Sequence, residues 1–438
     1  MMKVIRVLAR VFLGLIFIFS GFVKAVDPLG TTYKLLDYFE AFQIGFLSFF
    51  AFPLSILLNG AEFLIGIALL IGLRMRLTSW VTLIFMSFFL VLTFIIALTN
   101  PVTDCGCFGD ALVLSNWQTF WKNVLFMGFA LIIFFSGNKY RNAYNAPTEW
   151  MLVTVTAVFI VGISIYSYRH LPLIDFRPYK VGSYLPEKME FPEGAKPDKY
   201  IYNYTLKNTN TGEIKEMTSD EYLESKIWED TAWEIIETSD PILIEKGYEP
   251  PIHDFDIVSL EGENVTDKIL YSSRYTFLLV NYKVQKASME GLVKANEIAA
   301  FASEQGYEFY AVTSSLEEII KQIKDSLGLE YDFYTGDEIM LKTVIRSNPG
   351  LVLIKDGVVI DKWHHNDFPG KDELKENMLS YSLSRHIESI ESLRIINLIL
   401  YALLFFALFK YIRNLMGIKN EYTEAETSSM SKIGDKEK

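Results

Sequence analysis

The sequence is short of the residues that usually mark a metal centre. It has two cysteines and five histidines among 438 residues, and the histidines are distant in sequence from Cys105 and Cys107. A metal site would need more ligands than the two cysteines supply, so no metal site is predicted. With no third cysteine, any thiol exchange must use a partner protein or a small redox molecule.

The sequence also has fewer basic than acidic residues. The chain has 41 lysines and arginines against 53 aspartates and glutamates, and a formal net charge of -12. A surface that binds nucleic acid needs clustered Lys and Arg against the phosphates. Nucleic acid is therefore not expected as a partner.

Apolar residues, by contrast, are abundant. They make up 50% of the chain, while charged residues still make up 21%, which indicates a mixed protein with membrane and water-soluble parts. Crossing a hydrocarbon core takes roughly 20 apolar residues. Six apolar runs approach this length and predict a multi-pass protein in a lipid bilayer: Val4 to Val23, Phe46 to Leu73, Leu77 to Leu98, Phe120 to Phe135, Met151 to Ile165 and Ile395 to Leu408.

The distribution of basic residues predicts an orientation. The first run lacks a convincing small-x-small cleavage site and is taken as retained. Basic residues precede it, follow the second, fourth and sixth runs, and all fall on one side: Lys3, Arg6, Arg10, Arg74, Arg76, Lys139, Arg141, Lys410, Arg413 and Lys419. The positive-inside rule then puts both termini in the cytoplasm of a bacterial inner membrane. The cysteines and the long polar region after the fifth run would be periplasmic, where disulfides are favoured.

These patterns divide the chain into six parts. They are a four-span domain (1–140), a fifth membrane helix (150–168), a linker with a small α/β region (169–250), an α/β domain (251–385), a sixth membrane helix (390–413) and a disordered cytoplasmic tail (414–438). In the small region, a hairpin is expected over 200–217 and a helix over 222–236. From 252, alternating strands and helices end in a hairpin at Lys355-Asp356-Gly357, which is typical of an α/β sandwich.

Three polar residues stand out in the membrane part. Glu62 lies roughly 16 Å from the inner end of its span at the helical rise per residue, and a carboxylate at that depth is expensive. One hypothesis is an intramembrane site for protons or quinone formed with Lys24 and Asn59. The other is that Glu62 is protonated, or paired with Lys24 or Asn59, and holds the helices together.

The cysteines occur in the stretch Asp104-Cys105-Gly106-Cys107-Phe108-Gly109-Asp110. Two thiols separated by one glycine can close a small strained ring, and strain makes a disulfide easier to reduce. Asp104 and Asp110 would raise a thiol pKa, whereas a helix amino terminus would lower it. The pair can be an exchangeable dithiol, a fixed structural disulfide, an inert surface pair or part of a metal site.

Three segments of the first 140 residues resemble the DoxX/MauE family of redox-associated membrane proteins: Phe19-Ser-Gly-Phe-Val-Lys24, Glu62-Phe-Leu-Ile-Gly-Ile-Ala-Leu-Leu-Ile-Gly72 and Asp104-Cys-Gly-Cys-Phe-Gly109. The resemblance implies a four-helix core, which is also similar to that of vitamin K epoxide reductase homologues. MauE-type proteins are associated with methylamine utilisation, in which a disulfide-rich dehydrogenase subunit matures outside the cytoplasm. DoxX-type relatives are linked to quinone-coupled sulfur oxidation.

The region after 251 resembles a thioredoxin-like domain of the TlpA or peroxiredoxin kind. The resemblance lies in Phe255-Asp-Ile-Val-Ser-Leu, Thr276-Phe-Leu-Leu-Val-Asn-Tyr and Ser347-Asn348-Pro349-Gly350. The last segment would be the loop that holds the family's cis-proline. Where the family has Cys-x-x-Cys, this chain has Ala287-Ser-Met-Glu290, so the thiol chemistry of the fold is lost. Pro349 either presents backbone groups to an extended peptide or is a purely structural turn residue.

The overall expectation is an α-helical transmembrane bundle, a four-helix DoxX/MauE-type core plus two further spans, with an extracytoplasmic α/β thioredoxin-like domain. Cys105 and Cys107 would be catalytic, taking electrons from an exported thiol-containing protein or oxidoreductase and passing them to a partner or a quinone. Quinone is the one cofactor considered. The domain without cysteines would dock clients or a partner oxidoreductase. The alternative is a non-enzymatic membrane scaffold whose cysteines form a structural disulfide.

Overall fold

A computed structural model describes residues 2–102, 104–136, 144–196, 199–245, 247–370, 373–375, 378 and 380–385. Its helices are α1 Met2–Val26, α2 Pro28–Ala41, α3 Ala51–Ile71, α4 Met75–Thr99, α5 Asn116–Phe135, α6 Ala146–Arg169, α7 Leu185–Met189, α8 Ser219–Ser225, α9 Thr266–Leu270, α10 Met289–Gln305, α11 Glu317–Leu327 and α12 Glu338–Val344. Its strands are β1 Lys199–Ile201, β2 Asn203–Asn208, β3 Ile214–Thr218, β4 Trp233–Thr238, β5 Ile242–Glu245, β6 Ile257–Ser259, β7 Thr276–Asn281, β8 Glu308–Thr313, β9 Phe333–Gly336, β10 Gly350–Lys355 and β11 Val358–His364. The predicted sixth helix and the tail lie outside the described residues.

Five of the described helical segments are long and apolar enough to cross a membrane. They are Val4–Val26, Gly45–Ile71, Met75–Thr99, Asn116–Phe135 and Ala146–Arg169. These segments confirm the first five predicted spans. The second begins with a 3-10 turn, Gly45–Phe50, that runs directly into α3.

Close packing of α1 against α3 is made possible by glycine. A Cβ on Gly21 would lie 2.6 Å from the backbone nitrogen of Phe63, and one on Gly66 would lie 2.6 Å from that of Ile18. Small residues at such contacts let helix backbones approach each other. The close approach brings Lys24 of α1 beside Glu62 of α3.

The chain turns sharply between α1 and α2. Pro28 follows α1 and also opens α2, because proline is compatible with the first turn of a helix. The Asp27 carboxylate accepts a hydrogen bond from the Gly30 N–H at 3.0 Å and caps the new helix.

The α/β domain is built on a six-stranded sheet with the strand order β11-β10-β7-β8-β9-β6. The strands β7, β8 and β9 are parallel neighbours, and β10 and β11 pair antiparallel beside β7. A β-α-β unit followed by an antiparallel hairpin is the arrangement expected of a thioredoxin-like domain. Every residue of β7 is buried, as a central strand covered on both faces requires.

The small region before this domain differs from expectation in one element. The predicted hairpin is present as β2 and β3, but the helix predicted over 222–236 is wrong. The helix α8 ends at Ser225, and β4 then pairs antiparallel with β2, with Ile235 opposite Leu206. The run Trp233-Glu-Ile-Ile-Glu-Thr is rich in the aromatic and β-branched residues that favour strands.

Candidate functional site

The cysteine loop, residues 104–110, lies against α1 and α2. Side chains of these helices form hydrogen bonds with its backbone carbonyls. The Tyr38 hydroxyl donates to the Cys105 carbonyl at 2.9 Å, and the Ser20 hydroxyl donates to the Cys107 carbonyl at 2.6 Å. Lys34 pairs with Asp104 at 2.7 Å. The position of each cysteine is therefore fixed by a separate side chain of the bundle.

Gly106 is required at the centre of the loop. Its φ of +65° lies in the left-handed region that glycine adopts without strain. A Cβ at this position would also lie 3.1 Å from Cγ of Lys34. The glycine thus lets the loop turn between the two thiols and lets the Lys34 stem pass beneath it.

The two cysteines are free thiols that face each other. Their Sγ atoms are 3.1 Å apart. A disulfide bond is about 2.05 Å long, so oxidation would bring the sulfur atoms about 1 Å closer together. Cys105 is 8% exposed and Cys107 is half-buried.

The surroundings separate the pKa values of the two thiols. A hydrogen bond from Cys105, together with the nearby cations of Lys122 and Lys24, outweighs burial and lowers the pKa of Cys107 to about 6. The same hydrogen bond, together with burial, raises the pKa of Cys105 well above its ordinary value. Cys107 is accordingly the thiolate of the pair at neutral pH.

Both thiols line a cavity inside the helix bundle. The cavity has a volume of about 90 Å³ and is also lined by Lys24, Asn59 and Glu62. One water molecule needs roughly 10–15 Å³ of such space, so several would fit. The structure thus brings the cysteine pair and the three predicted intramembrane polar residues to a single site.

Within this cavity Lys24 and Glu62 form an ion pair, and their side chains are 12% and 10% exposed. The Asn59 amide donates to the Lys24 carbonyl at 3.0 Å and to the Thr31 hydroxyl at 3.2 Å. Pairing offsets much of the cost of burying either charge alone. Lys24 and Glu62 are therefore paired, as one of the two hypotheses expects. Both groups also lie at the cavity wall beside the thiols.

Two residues of this site, Lys122 and Tyr38, were missed by sequence reasoning. The Lys122 ammonium of α5 lies 4.4 Å from the centre of the Phe108 ring, and its side chain lines the cavity. A signal for Lys122 was available, since it is the single charged residue between Asn116 and Phe135. Tyr38 gave no such signal, because its role depends on the turn at Pro28 that folds α2 back over the loop.

The predicted cis-proline loop occupies a different place. The Asn348–Pro349 peptide is cis, and neither residue lines the cavity. The Asn348 carbonyl accepts the Ser288 N–H at 2.9 Å, and the Asn348 amide donates to the Lys283 carbonyl at 2.9 Å. Ser288, in the position of the missing cysteine motif, caps α10 by accepting the Gly291 N–H. All of these hydrogen bonds join residues of the α/β domain to each other.

The part of the chain that forms the bundle and its cysteine loop matches a known family model. Residues 2–136 match the family model of methylamine utilisation protein MauE. The MauE-type region therefore covers four of the spans and the whole cysteine loop. Comparison with curated protein sequences gave no match.

The chain is also similar to several solved structures. A candidate protein disulfide isomerase from Bacteroides thetaiotaomicron is 16% identical over 31% of this chain and 84% of its own, with a TM-score of 0.23. A secreted Mycobacterium tuberculosis disulfide oxidoreductase homologous to E. coli DsbE is 12% identical over 30% and 96%, with a TM-score of 0.23. Yeast Sco1 is 13% identical over 32% and 94%, with a TM-score of 0.22. The thioredoxin-like assignment depends on the strand order described above.

The MauE-type region and its apolar helices make this chain a multi-pass membrane protein. The match to the MauE model and the cysteine pair within the matched region indicate a redox-associated function. Among the described residues, no group of three or more His, Cys, Asp or Glu side chains is placed to hold a metal ion.

Proposed function

We propose that Cys105 and Cys107 carry out thiol–disulfide exchange for an exported thiol-containing protein. The observation that supports this most is the placement of the two facing sulfur atoms on the wall of the cavity that also contains Lys24 and Glu62. A disulfide that served only as a clamp would not need two thiols of different pKa beside buried ionisable groups. Such groups are concentrated at functional sites.

The exchange begins with the oxidised pair. A partner thiolate attacks the Cys105 sulfur, a mixed disulfide forms, and Cys107 leaves as a thiolate stabilised by Lys122 and Lys24. Attack at Cys105 is favoured because the thiol with the lower pKa is the better leaving group. A second partner thiol then displaces Cys105, so the partner gains a disulfide and the pair becomes a dithiol.

Reoxidation requires an acceptor of two electrons and two protons, for which we propose a quinone. The apolar cavity walls with a few polar groups suit a ring of this kind. A bound quinone would accept two electrons when the disulfide closes, one proton from the Cys105 thiol and, because Cys107 is already a thiolate, a second proton from solvent by way of Lys24 and Glu62. In this proposal Cys107 faces the acceptor, while Lys24 and Glu62 hold and transfer protons at the cavity wall.

We further propose that the cysteine loop lies on the periplasmic side of a bacterial inner membrane. Arg74 and Arg76 lie at the opposite end of α4 from the loop, which agrees with the positive-inside rule. The description of the MauE family refers to methylamine utilisation. By analogy, the client would be an exported protein whose disulfides must form after it leaves the cytoplasm.

Trapping in intact cells tests the exchange. A Cys107→Ser variant should accumulate a mixed disulfide between Cys105 and its client, which a non-reducing gel would show, a reducing gel would not, and mass spectrometry would identify. A Cys105→Ser variant should accumulate much less, and the double variant serves as the control with none. If no variant captured a partner and the wild-type pair stayed in one redox state, the cysteines would be a structural disulfide in a scaffold protein.

The acceptor is tested separately on the purified reduced protein. Adding a water-soluble quinone should reoxidise the wild-type pair within minutes, and Glu62→Gln should slow this reaction at least tenfold. The control is reoxidation by diamide, which does not require the cavity and should proceed equally in both proteins. Equal quinone rates in the two proteins would overturn the quinone site and leave the exchange reaction standing.

A further inference from the structure

We propose that the thioredoxin-like domain is itself part of the cysteine site and acts through Arg346 as a positioning residue for the loop. The inference builds on the proposed exchange reaction, because it concerns the loop in which that reaction would occur. It is carried by one buried guanidinium that joins the two parts of the chain.

Arg346 lies just after α12 and is buried, with 6% of its side chain exposed. Its Nε is 2.8 Å from the Asp27 carboxylate, which caps α2, and its Nη2 is 2.8 Å from the Asp110 carboxylate at the end of the loop. Its Nη1 donates to the Lys342 carbonyl at 2.6 Å. Every nitrogen of the guanidinium therefore has an acceptor, and two of these acceptors belong to the membrane part.

The surrounding contacts show that this is a packed interface. The Tyr33 ring of α2 lies edge-on to the Tyr282 ring, with their centres 6.3 Å apart. The cations of Lys342 and Arg346 lie 4.9 Å and 5.3 Å from the centre of the Tyr33 ring. Aromatic and cationic groups in such positions attract each other. The domain thus meets α2 with the residues that flank Arg346.

The arrangement holds the cysteine loop at both ends. Asp104, at the start, is bound by Lys34 of the bundle at 2.7 Å. Asp110, at the end, is bound by Arg346 of the other domain. A loop fixed at both ends keeps Cys105 buried, so release of the Arg346 end should expose the sulfur that the client must attack.

A thioredoxin-like domain without cysteines has a use in this arrangement. The domain supplies a cation to the carboxylate of Asp110, at the end of the loop that carries the two cysteines. Removing one partner from a buried ion pair leaves an uncompensated charge, so the contact is sensitive to single substitutions. Separation of the domain from α2 would therefore change the accessibility of both thiols.

The test measures alkylation of Cys105 and Cys107 in the reduced full-length protein, with each peptide quantified by mass spectrometry. Arg346→Gln and Asp110→Asn should each speed the alkylation of Cys105 at least fivefold. The double variant should be no faster than either single variant, because both remove the same contact. Arg346→Lys keeps the charge but not the forked geometry and should fall between wild type and Arg346→Gln.

The matched control is Arg274→Gln, which removes an exposed arginine of the same domain and should leave the rate unchanged. Asp110→Asn separates positioning from misfolding, since Asp110 belongs to the loop and not to the α/β domain. Wild-type rates in both Arg346→Gln and Asp110→Asn would overturn the proposal. The readout uses no client or quinone, so this failure is distinct from a failure to trap a mixed disulfide.

Discussion

The membrane bundle and the thioredoxin-like domain divide between them what a single thiol oxidoreductase domain would combine. The bundle has both cysteines, and the domain has the fold with Ala287 and Glu290 where the resemblance predicts cysteines. The cysteine loop takes its contacts from α1 and α2 at one end and from Arg346 at the other. The cysteine pair and the thioredoxin-like fold therefore lie in different parts of the chain.

The buried charges of the two regions also differ in their surroundings. In the bundle, Lys24 and Glu62 face a cavity. Between the linker and the α/β domain, the Asp175 carboxylate is 2.8 Å from Nε of Arg177 and 3.0 Å from Nζ of Lys362. Burial lowers the pKa of Lys362 to about 8, although the Asp175 carboxylate favours its charged form. The first pair lies on the wall of the cavity that the thiols line, whereas Asp175 joins the linker to β11 of the α/β domain through Lys362.

The largest expected effect on the thiols themselves comes from a defect confined to the bundle. Gly66→Ala places a methyl group 2.6 Å from the Ile18 nitrogen, and backbone atoms on both helices would have to move. Overpacking of this kind typically costs about 1–3 kcal/mol or more. We expect loss of the α1–α3 contact and of the cavity, seen as a lower melting temperature and rapid alkylation of both thiols.

The control for that variant is Gly128→Ala in α5. A Cβ on Gly128 would meet no heavy atom within 4 Å in the part of the chain that the structure describes. Alanine also has the higher helix propensity, so this variant should be at least as stable as wild type. Equal destabilisation by the two substitutions would contradict the close-contact role of Gly66.

A defect confined to the α/β domain should reach the thiols only through the interface. Leu279 is fully buried in β7, and Leu279→Ala should cost about 2–5 kcal/mol through the cavity it leaves. Hydrogen exchange should then show the sheet opening more often, and alkylation of Cys105 should rise with it. Leu316→Ala, at a leucine that is 71% exposed, is the control and should change neither. Faster sheet opening with unchanged alkylation would show that the domain does not hold the loop.

Local signals allowed much of the fold to be predicted from the sequence. Apolar runs identified the five described spans, and the segments 255–260, 276–282 and 347–350 predicted the α/β domain. The helix expected at 222–236 was wrong, because Ile235 and Ile236 fit a helical pattern as well as a strand until the pairing of β4 with β2 is known. Short apolar runs are ambiguous in this way.

The site itself could be predicted only in parts. Cys105, Cys107 and Glu62 stood out as residues unusual for their surroundings, but nothing in their spacing placed them at one cavity. Arg346 lies 236 residues from Asp110 in the chain, so their contact arises from tertiary structure alone. Lys122 could have been found as a charge in an apolar run, whereas Arg346 could not.

The two thiols differ in pKa, and a smaller effect tests which cations of the bundle cause this difference. Alkylation of Cys107 follows its thiolate fraction and should rise with a midpoint near pH 6. Lys122→Gln removes a cation that lowers this pKa, so the midpoint should move upward and the rate at pH 6 should fall about twofold or more. Lys122→Arg should restore it. Arg76→Gln, an exposed cation elsewhere on the bundle, should have no effect, and a midpoint unmoved by Lys122→Gln would remove Lys122 from the site.

The last expected effect concerns acid and belongs to the α/β domain. His364 is 4% exposed, its Nδ1 accepts the Asn366 N–H at 3.2 Å, and burial lowers its pKa to about 3. The unfolded chain, with a histidine pKa near 6.5, binds a proton that the folded domain excludes. Stability from this group is therefore complete above about pH 6.5 and is lost as the pH falls toward 3, by at most about 1.4 kcal/mol per pH unit.

His364→Asn keeps a side-chain acceptor without titrating, so hydrogen exchange of β10 and β11 should depend less on pH between 6.5 and 4. His253→Asn, at an exposed histidine, should retain the wild-type slope, and equal slopes in all three proteins would show that His364 is not the acid-sensitive group.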